Sequence, residues 1–212
     1  MEQKESLNLF CSQMERLTIN FSPKSDKHVK PEGEYSKMAS TPYNTLGIQI
    51  PLDFYQKNIH ANWADIAFAE ENAILTYRDV IAFAYSELDT ESDEDVFTLA
   101  CMKFEQYCFR EDVTPVLHRL SQKETDTTRF EAKKKNMFLL LKWVYENREK
   151  YPKPLEVVAF IYDDFGFPQE IKKFVYWVPA DEPLPPSKEL CEQQMMTRWH
   201  EYLLQASKKW NR

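Results

Sequence analysis

Glycine is nearly missing from this chain: 212 residues contain three, Gly33, Gly47 and Gly166. Tight hairpin turns, strand bulges and phosphate-cradling loops use backbone conformations that glycine adopts at little steric cost. A chain this poor in glycine is badly supplied for sandwiches, barrels or nucleotide-binding loops, and well suited to helices joined by short turns. Hydrophobic residues make up 43% of the sequence and aromatic residues 14%, enough for one sizeable core.

The hydrophobic spacing agrees. Asn62 followed by Asp65, Thr76 followed by Asp79, and Ser92 followed by Asp95 each place an N-cap three residues before an acidic group. Behind these caps run Trp63, Ile66 and Ala67; then Tyr77, Val80, Ile81, Ala84 and Leu88; then Phe97, Ala100, Cys101, Phe104 and Cys108, at the i, i+3, i+4, i+7 intervals of amphipathic helices. A shorter helix carries Val116, Leu117 and Leu120. A long one is expected over Asp126–Asn147, basic and exposed at Lys133, Lys134 and Lys135, then apolar nearly all round.

Pro152 and Pro154 end that helix and start the next, with Leu155, Val158, Ala159 and Tyr162 on one side. Gly166 fits the residue after a helix C-cap. Pro168 fits the first turn of a further helix bearing Ile171, Phe174, Val175 and Val178. After the proline-rich stretch PADEPLPPSKE, a final helix from about Ser187 to Trp210 aligns Met195, Trp199, Tyr202, Leu203 and Ala206. The expected architecture is all-α: a compact multi-helix domain of short helical hairpins over residues 47–212, some eight helices in all. Residues 1–46 lack sustained periodicity and read as an irregular N-terminal extension or linker, with a short helix near Leu7–Leu17 and a short strand at Leu17–Phe21.

Few functional classes match. The sequence has no glycine-rich phosphate loop, no GxSxG and no HExxH. Four cysteines (Cys11, Cys101, Cys108 and Cys191) form no CxxC pair, and four histidines (His28, His60, His118 and His200) are scattered, so neither metal, cofactor nor disulfide framework is expected. Cys101 and Cys108 are spaced to share a helix face as small buried hydrophobes. The letters Asp-Phe-Gly at 164–166 lack the rest of a kinase signature. Asp163 and Asp164, near a helix C-terminus, oppose the helix dipole, which leaves a ligand role open for them. No apolar run reaches membrane-spanning length and the N-terminus does not read as a signal peptide, so a cytoplasmic protein is expected.

Charge is the informative property. The net charge is −7, which disfavours nucleic-acid binding. Residues 49–120 hold fourteen acids against five bases, while the flanking segments are balanced or slightly basic. The excess centres on ELDTESDEDVF, where Glu87, Asp89, Glu91, Asp93, Glu94 and Asp95 fall within nine positions. A calcium loop begun at Asp89 would need glycine at its sixth position and glutamate at its twelfth, where Glu94 and Ala100 stand. Helix capping at Ser92 accounts for the second half of the segment. Glu87, Asp89 and Glu91 have no such account, and the six acids are the expected partner-binding residues.

Three stretches carry a family resemblance: NWADIAFAEENAILTYRDVIAFAYSEL, LLLKWVYENREKYPKPLEVVAFIYDDFGFPQEIKKFVYWVP, and RWHEYLL. From Ile48 onward the chain resembles a bacterial family known as domain of unknown function 2247. The resemblance implies a likeness to small acidic proteins encoded beside secreted toxins. On that basis the expectation is a non-enzymatic immunity protein whose acidic helical surface meets a basic toxin domain. Two alternatives stand beside it: a carboxylate-based metal-dependent or hydrolytic enzyme using Asp163 and Asp164, and a structural or regulatory helical module.

Overall fold

A computed structural model describes residues 43–90, 92–105, 107–179 and 185–210. The short helix and strand expected before residue 22, and Cys11, lie outside them. Among the described residues there are eight α-helices and no strand. They are α1 (Leu52–Asn58), α2 (Trp63–Glu71), α3 (Tyr77–Ser86), α4 (Glu94–Cys101), α5 (Arg110–Lys123), α6 (Asp126–Glu146), α7 (Pro154–Asp164) and α8 (Lys188–Trp210).

Two expected caps form in full. Asn62 Oδ1 accepts the Asp65 N–H and Asp65 Oδ2 accepts the Asn62 N–H, both at 3.0 Å. Thr76 and Asp79 make the same reciprocal pair at the start of α3. Each box satisfies two backbone donors that a helix start would otherwise leave unpaired.

The third cap moves by one residue. Asp93, not Ser92, caps α4, its Oδ1 accepting the Asp95 N–H at 2.9 Å. The Ser92 hydroxyl instead turns back to Asp89, accepting its N–H at 2.8 Å and donating to its Oδ1 at 3.0 Å. Two competent caps stand side by side, and the charged one takes the helix dipole. The buried set is accordingly Val96, Leu99 and Ala100. The helix ends at Cys101, passes through a 3₁₀ turn at Met102–Phe104, and leaves Cys108 in the connection to α5. Phe104 and Cys108 therefore do not extend a helical stripe, and Cys101 and Cys108 do not share a helix face.

α6 is the central element, packing on α2, α7 and α8, while α5 packs on α2, α3 and α4. Its 21 residues match the expected span to within one position. The expected exposure of Lys135 is corrected: its side chain is buried against Asp65 of α2, with Lys135 Nζ 2.6 Å from Asp65 Oδ2. The ion pair offsets the cost of removing both charges from water.

α7 begins with Pro154 and ends in a Schellman motif. Gly166, at φ +76°, donates to the Asp163 carbonyl, and the next N–H, of Phe167, donates to that of Tyr162. The helix expected after Pro168 reduces to one 3₁₀ turn, Lys172–Phe174. Ile171, Phe174 and Val175 are nevertheless buried, so the apolar spacing marks the buried positions correctly although only a single 3₁₀ turn forms there. The fold also contains a helix that the sequence reading did not include, α1, seven residues long with Tyr55 fully buried. On the other side of the core, Trp199 of α8 is buried between Tyr145, edge-on at 5.0 Å, and Phe174, stacked at 6.3 Å.

Candidate functional site

The acidic segment runs from the end of α3 into the first turn of α4. The structure divides its residues rather than presenting them as one surface. Glu87 closes α3 and is exposed; Asp89 is exposed and bound to Ser92; Glu91 lies outside the described residues. Asp93 and Asp95 turn toward α5. Lys123 Nζ lies 2.7 Å from Asp93 Oδ1 and 3.0 Å from Asp95 Oδ2, and Arg119 Nη2 lies 2.6 Å from Asp95 Oδ1. The Lys123 ammonium holds the Asp93 carboxyl below its ordinary range, helped by the Asp95 N–H. The Arg119 guanidinium does the same for Asp95, with Lys123 adding to it. Two of the six acids thus belong to a clamp that fixes α4 against α5. Glu87 and Glu94 point their charge to solvent.

Beside these acids lies a set of aromatics that sequence reading placed partly in a helix stripe. In the α4–α5 connection Phe104 is 41% exposed, Tyr107 74% and Phe109 60%. Phe104 packs edge-on against Tyr85 at 5.9 Å between ring centres, two residues before Glu87. That contact brings the aromatic flank to the edge of the acidic junction. Lys103 Nζ sits 3.5 Å from the centre of the Tyr85 ring, a cation–π pair. A shallow depression of about 380 Å³ separates the connection from α3, lined in part by Tyr77, Ile81, Met102 and Cys108. Burial, with Glu105 and Asp112 nearby, pushes the Cys108 thiol up, keeping it protonated and a poor nucleophile. A sequence signal for this flank exists: FEQYCF sets three aromatics within six positions that also hold Glu105 and Gln106.

The two remaining acids of interest have a local account. Asp164 Oδ2 accepts the Thr45 N–H at 2.9 Å, and the Thr45 hydroxyl donates to the same carboxylate. Burial raises the Asp164 carboxyl while the Thr45 bonds oppose it. Its place at a helix C-terminus is compensated by holding the segment that leads into α1. Asn44 extends that anchorage, its side chain bonding the backbone of Ile48 and Asn72. Asp163 is exposed and does not join it. Among the described residues no group of three or more His, Cys, Asp or Glu is placed to hold a metal ion, and no helix is long and apolar enough to cross a membrane.

A buried polar cluster lies deeper. Besides Lys135, it comprises Asp65, Tyr55 and Asn136, with the Tyr55 hydroxyl 3.0 Å from both the Asp65 carbonyl and Asn136 Oδ1. Burial raises the Asp65 carboxyl, opposed by Lys135 and the capping N–H of Asn62. All four residues are buried, so the cluster acts on α1, α2 and α6 rather than on a ligand.

A family model described as "uncharacterized protein conserved in bacteria (DUF2247)" matches residues 52–207. Comparison with curated proteins and with solved structures gave no match.

Proposed function

Because the chain belongs to the bacterial family DUF2247, with nearly all of its helical portion inside the matched region, we propose that it is a cytoplasmic, non-enzymatic binding protein that neutralises a secreted toxin, an immunity protein. The observation that carries this reading is the contact between Phe104 and Tyr85, which sets the exposed Phe104 near the acidic junction, in a connection that also exposes Tyr107 and Phe109. Acidic charge raises the encounter rate with a basic partner. Exposed aromatic side chains supply the anchors that dominate interface energy once buried. Glu87 and Glu94 serve the first purpose, and Tyr107 and Phe109 the second. Asp93 and Asp95 serve the α4–α5 clamp instead.

The test is rescue. Proteins captured from a bacterial host by the tagged chain are identified, then expressed alone and together with it. The expected result is growth arrest by one captured protein alone, relieved by the wild-type chain and not by a Tyr107→Ala/Phe109→Ala variant. Capture of harmless proteins only, or rescue by the variant as complete as by wild type, overturns the reading.

A further inference from the structure

The chain covers several of its surface rings with its own cations. Lys134 Nζ lies 5.3 Å from the centre of the exposed Phe130 ring, Arg148 lies over Tyr145 at 5.0 Å, and Lys209 over Trp210 at 3.8 Å. Beside the α4–α5 connection, Lys103 occupies the Tyr85 ring, and Arg78 lies over Tyr77 and donates to its hydroxyl at 3.2 Å. Tyr107 and Phe109 differ. They are 74% and 60% exposed, and among the described residues neither has a cation or another ring against it.

The carboxylates next to them are open as well. Glu105 and Glu111 are exposed and make no ion pair among the described residues. Arg110 feels Glu111 but gives both Nε and Nη2 to the buried carboxylate of Glu70, so its charge is already matched. Glu105 and Asp112 both act on the Cys108 thiol, so both stand close to the residue between the two rings. Asp112 accepts the Phe109 N–H at 2.9 Å at the start of α5, and its charge adds to the other two. Unmatched negative charge beside bare ring faces attracts a cation twice over, through the carboxylates and through the ring quadrupole.

We propose that this flank recognises arginine side chains on an exposed segment of a protein partner. The proposal rests on reading the flank as the partner surface, and it says what the partner brings. Arginine fits better than lysine for a physical reason. Its planar guanidinium stacks on a ring face while its N–H groups reach a carboxylate, and it is more weakly hydrated than an ammonium. Tyr107 and Phe109 offer the faces, and Glu105 and Glu111 the carboxylates.

Fluorescence anisotropy of labelled oligoarginine and oligolysine peptides of equal length, titrated with the full chain at physiological salt, tests this. Oligoarginine is expected to bind about threefold or more tighter than oligolysine. Tyr107→Leu/Phe109→Leu should abolish that preference at an unchanged melting temperature. Glu105→Gln/Glu111→Gln should weaken both peptides, and more than Glu87→Gln/Glu94→Gln, which removes the same charge elsewhere. Equal affinity of the two peptides for the wild-type chain, an arginine preference that survives Tyr107→Leu/Phe109→Leu, or equal losses from the two glutamine variants overturns the proposal. The expected peptide pattern without rescue from a toxin keeps the arginine surface and rejects the immunity role. Rescue that needs Tyr107 and Phe109, without any arginine preference, keeps the immunity role and rejects this partner chemistry.

Discussion

Lys135 Nζ of α6 lies 2.6 Å from Asp65 Oδ2 of α2, and neither side chain has appreciable contact with solvent. The same carboxylate oxygen closes the capping box with Asn62, so one side chain starts a helix and ties it to the central one. Asp65 Oδ1 has no hydrogen-bond partner, which leaves Lys135 as its main compensation. Lys135→Met is therefore expected to cost roughly 3–5 kcal/mol, the range for leaving a buried charge unpaired. Adding Asp65→Asn, which keeps an acceptor for the Asn62 N–H, is expected to restore most of it. Urea midpoints of the single and double variants measure the coupling.

The Lys135→Met deficit should depend on pH. Burial already holds the Asp65 carboxyl above its ordinary value, and Lys135 opposes that rise. Without Lys135 the folded chain keeps a proton that the unfolded chain has released. Stability then falls as pH rises through the raised folded pKa, and the deficit closes as pH falls toward the ordinary carboxylate range. Thermal melts from pH 4 to 8 should bring the variant toward wild type in mild acid; a constant gap would contradict this.

The α4–α5 clamp has the opposite sign. Lys123 and Arg119 hold Asp93 and Asp95 below their ordinary range, so its contribution is present above the unfolded carboxylate pKa and is lost as pH falls through the lowered folded values. An Asp93→Asn/Asp95→Asn variant should be less stable than wild type at neutral pH and lose less on acidification. Melting temperatures from pH 2 to 7 give the comparison, with high salt shrinking the neutral-pH difference.

Capping makes a third, independent contribution. Thr76→Ala removes the acceptor for the Asp79 N–H and is expected to cost about 1 kcal/mol. Ser92→Ala is expected to leave α4 in place, because Asp93 caps it, and to loosen only the turn at Asp89. Denaturant titration distinguishes the two, and equal losses would return the cap to Ser92.

Gly166 is the remaining sensitive point. At φ +76° a side chain is strained even though nothing lies within 4 Å of a Cβ placed there. Gly166→Ala is expected to cost about 1 kcal/mol through backbone strain, without steric displacement of neighbours. Gly166→Asn, which tolerates the left-handed region better, should cost less in the same thermal assay.

Much of the helical framework is written locally. Asn62 with Asp65 and Thr76 with Asp79 start their helices, Thr125 and Asn147 bracket α6, and Pro154 with Gly166 bound α7. Each signal acts through backbone groups within a few residues of itself, so its outcome does not await the rest of the fold. Where the sequence reading fails, two local answers compete, or an apolar spacing marks burial without a helix forming. Ser92 and Asp93 are both able caps, and Ile171, Phe174 and Val175 are buried without a helix to carry them.

The charged residues divide along the same line. The sequence alone determined that residues 49–120 carry an acidic excess and that aromatics are plentiful. Tertiary structure decided that Asp93 and Asp95 meet Arg119 and Lys123, that Lys135 turns inward to Asp65, and that Tyr107 and Phe109 stay outside. Charge count is a property of composition, whereas pairing and exposure depend on which helices pack together. Only long-range packing brings α5 to α4 and α6 to α2.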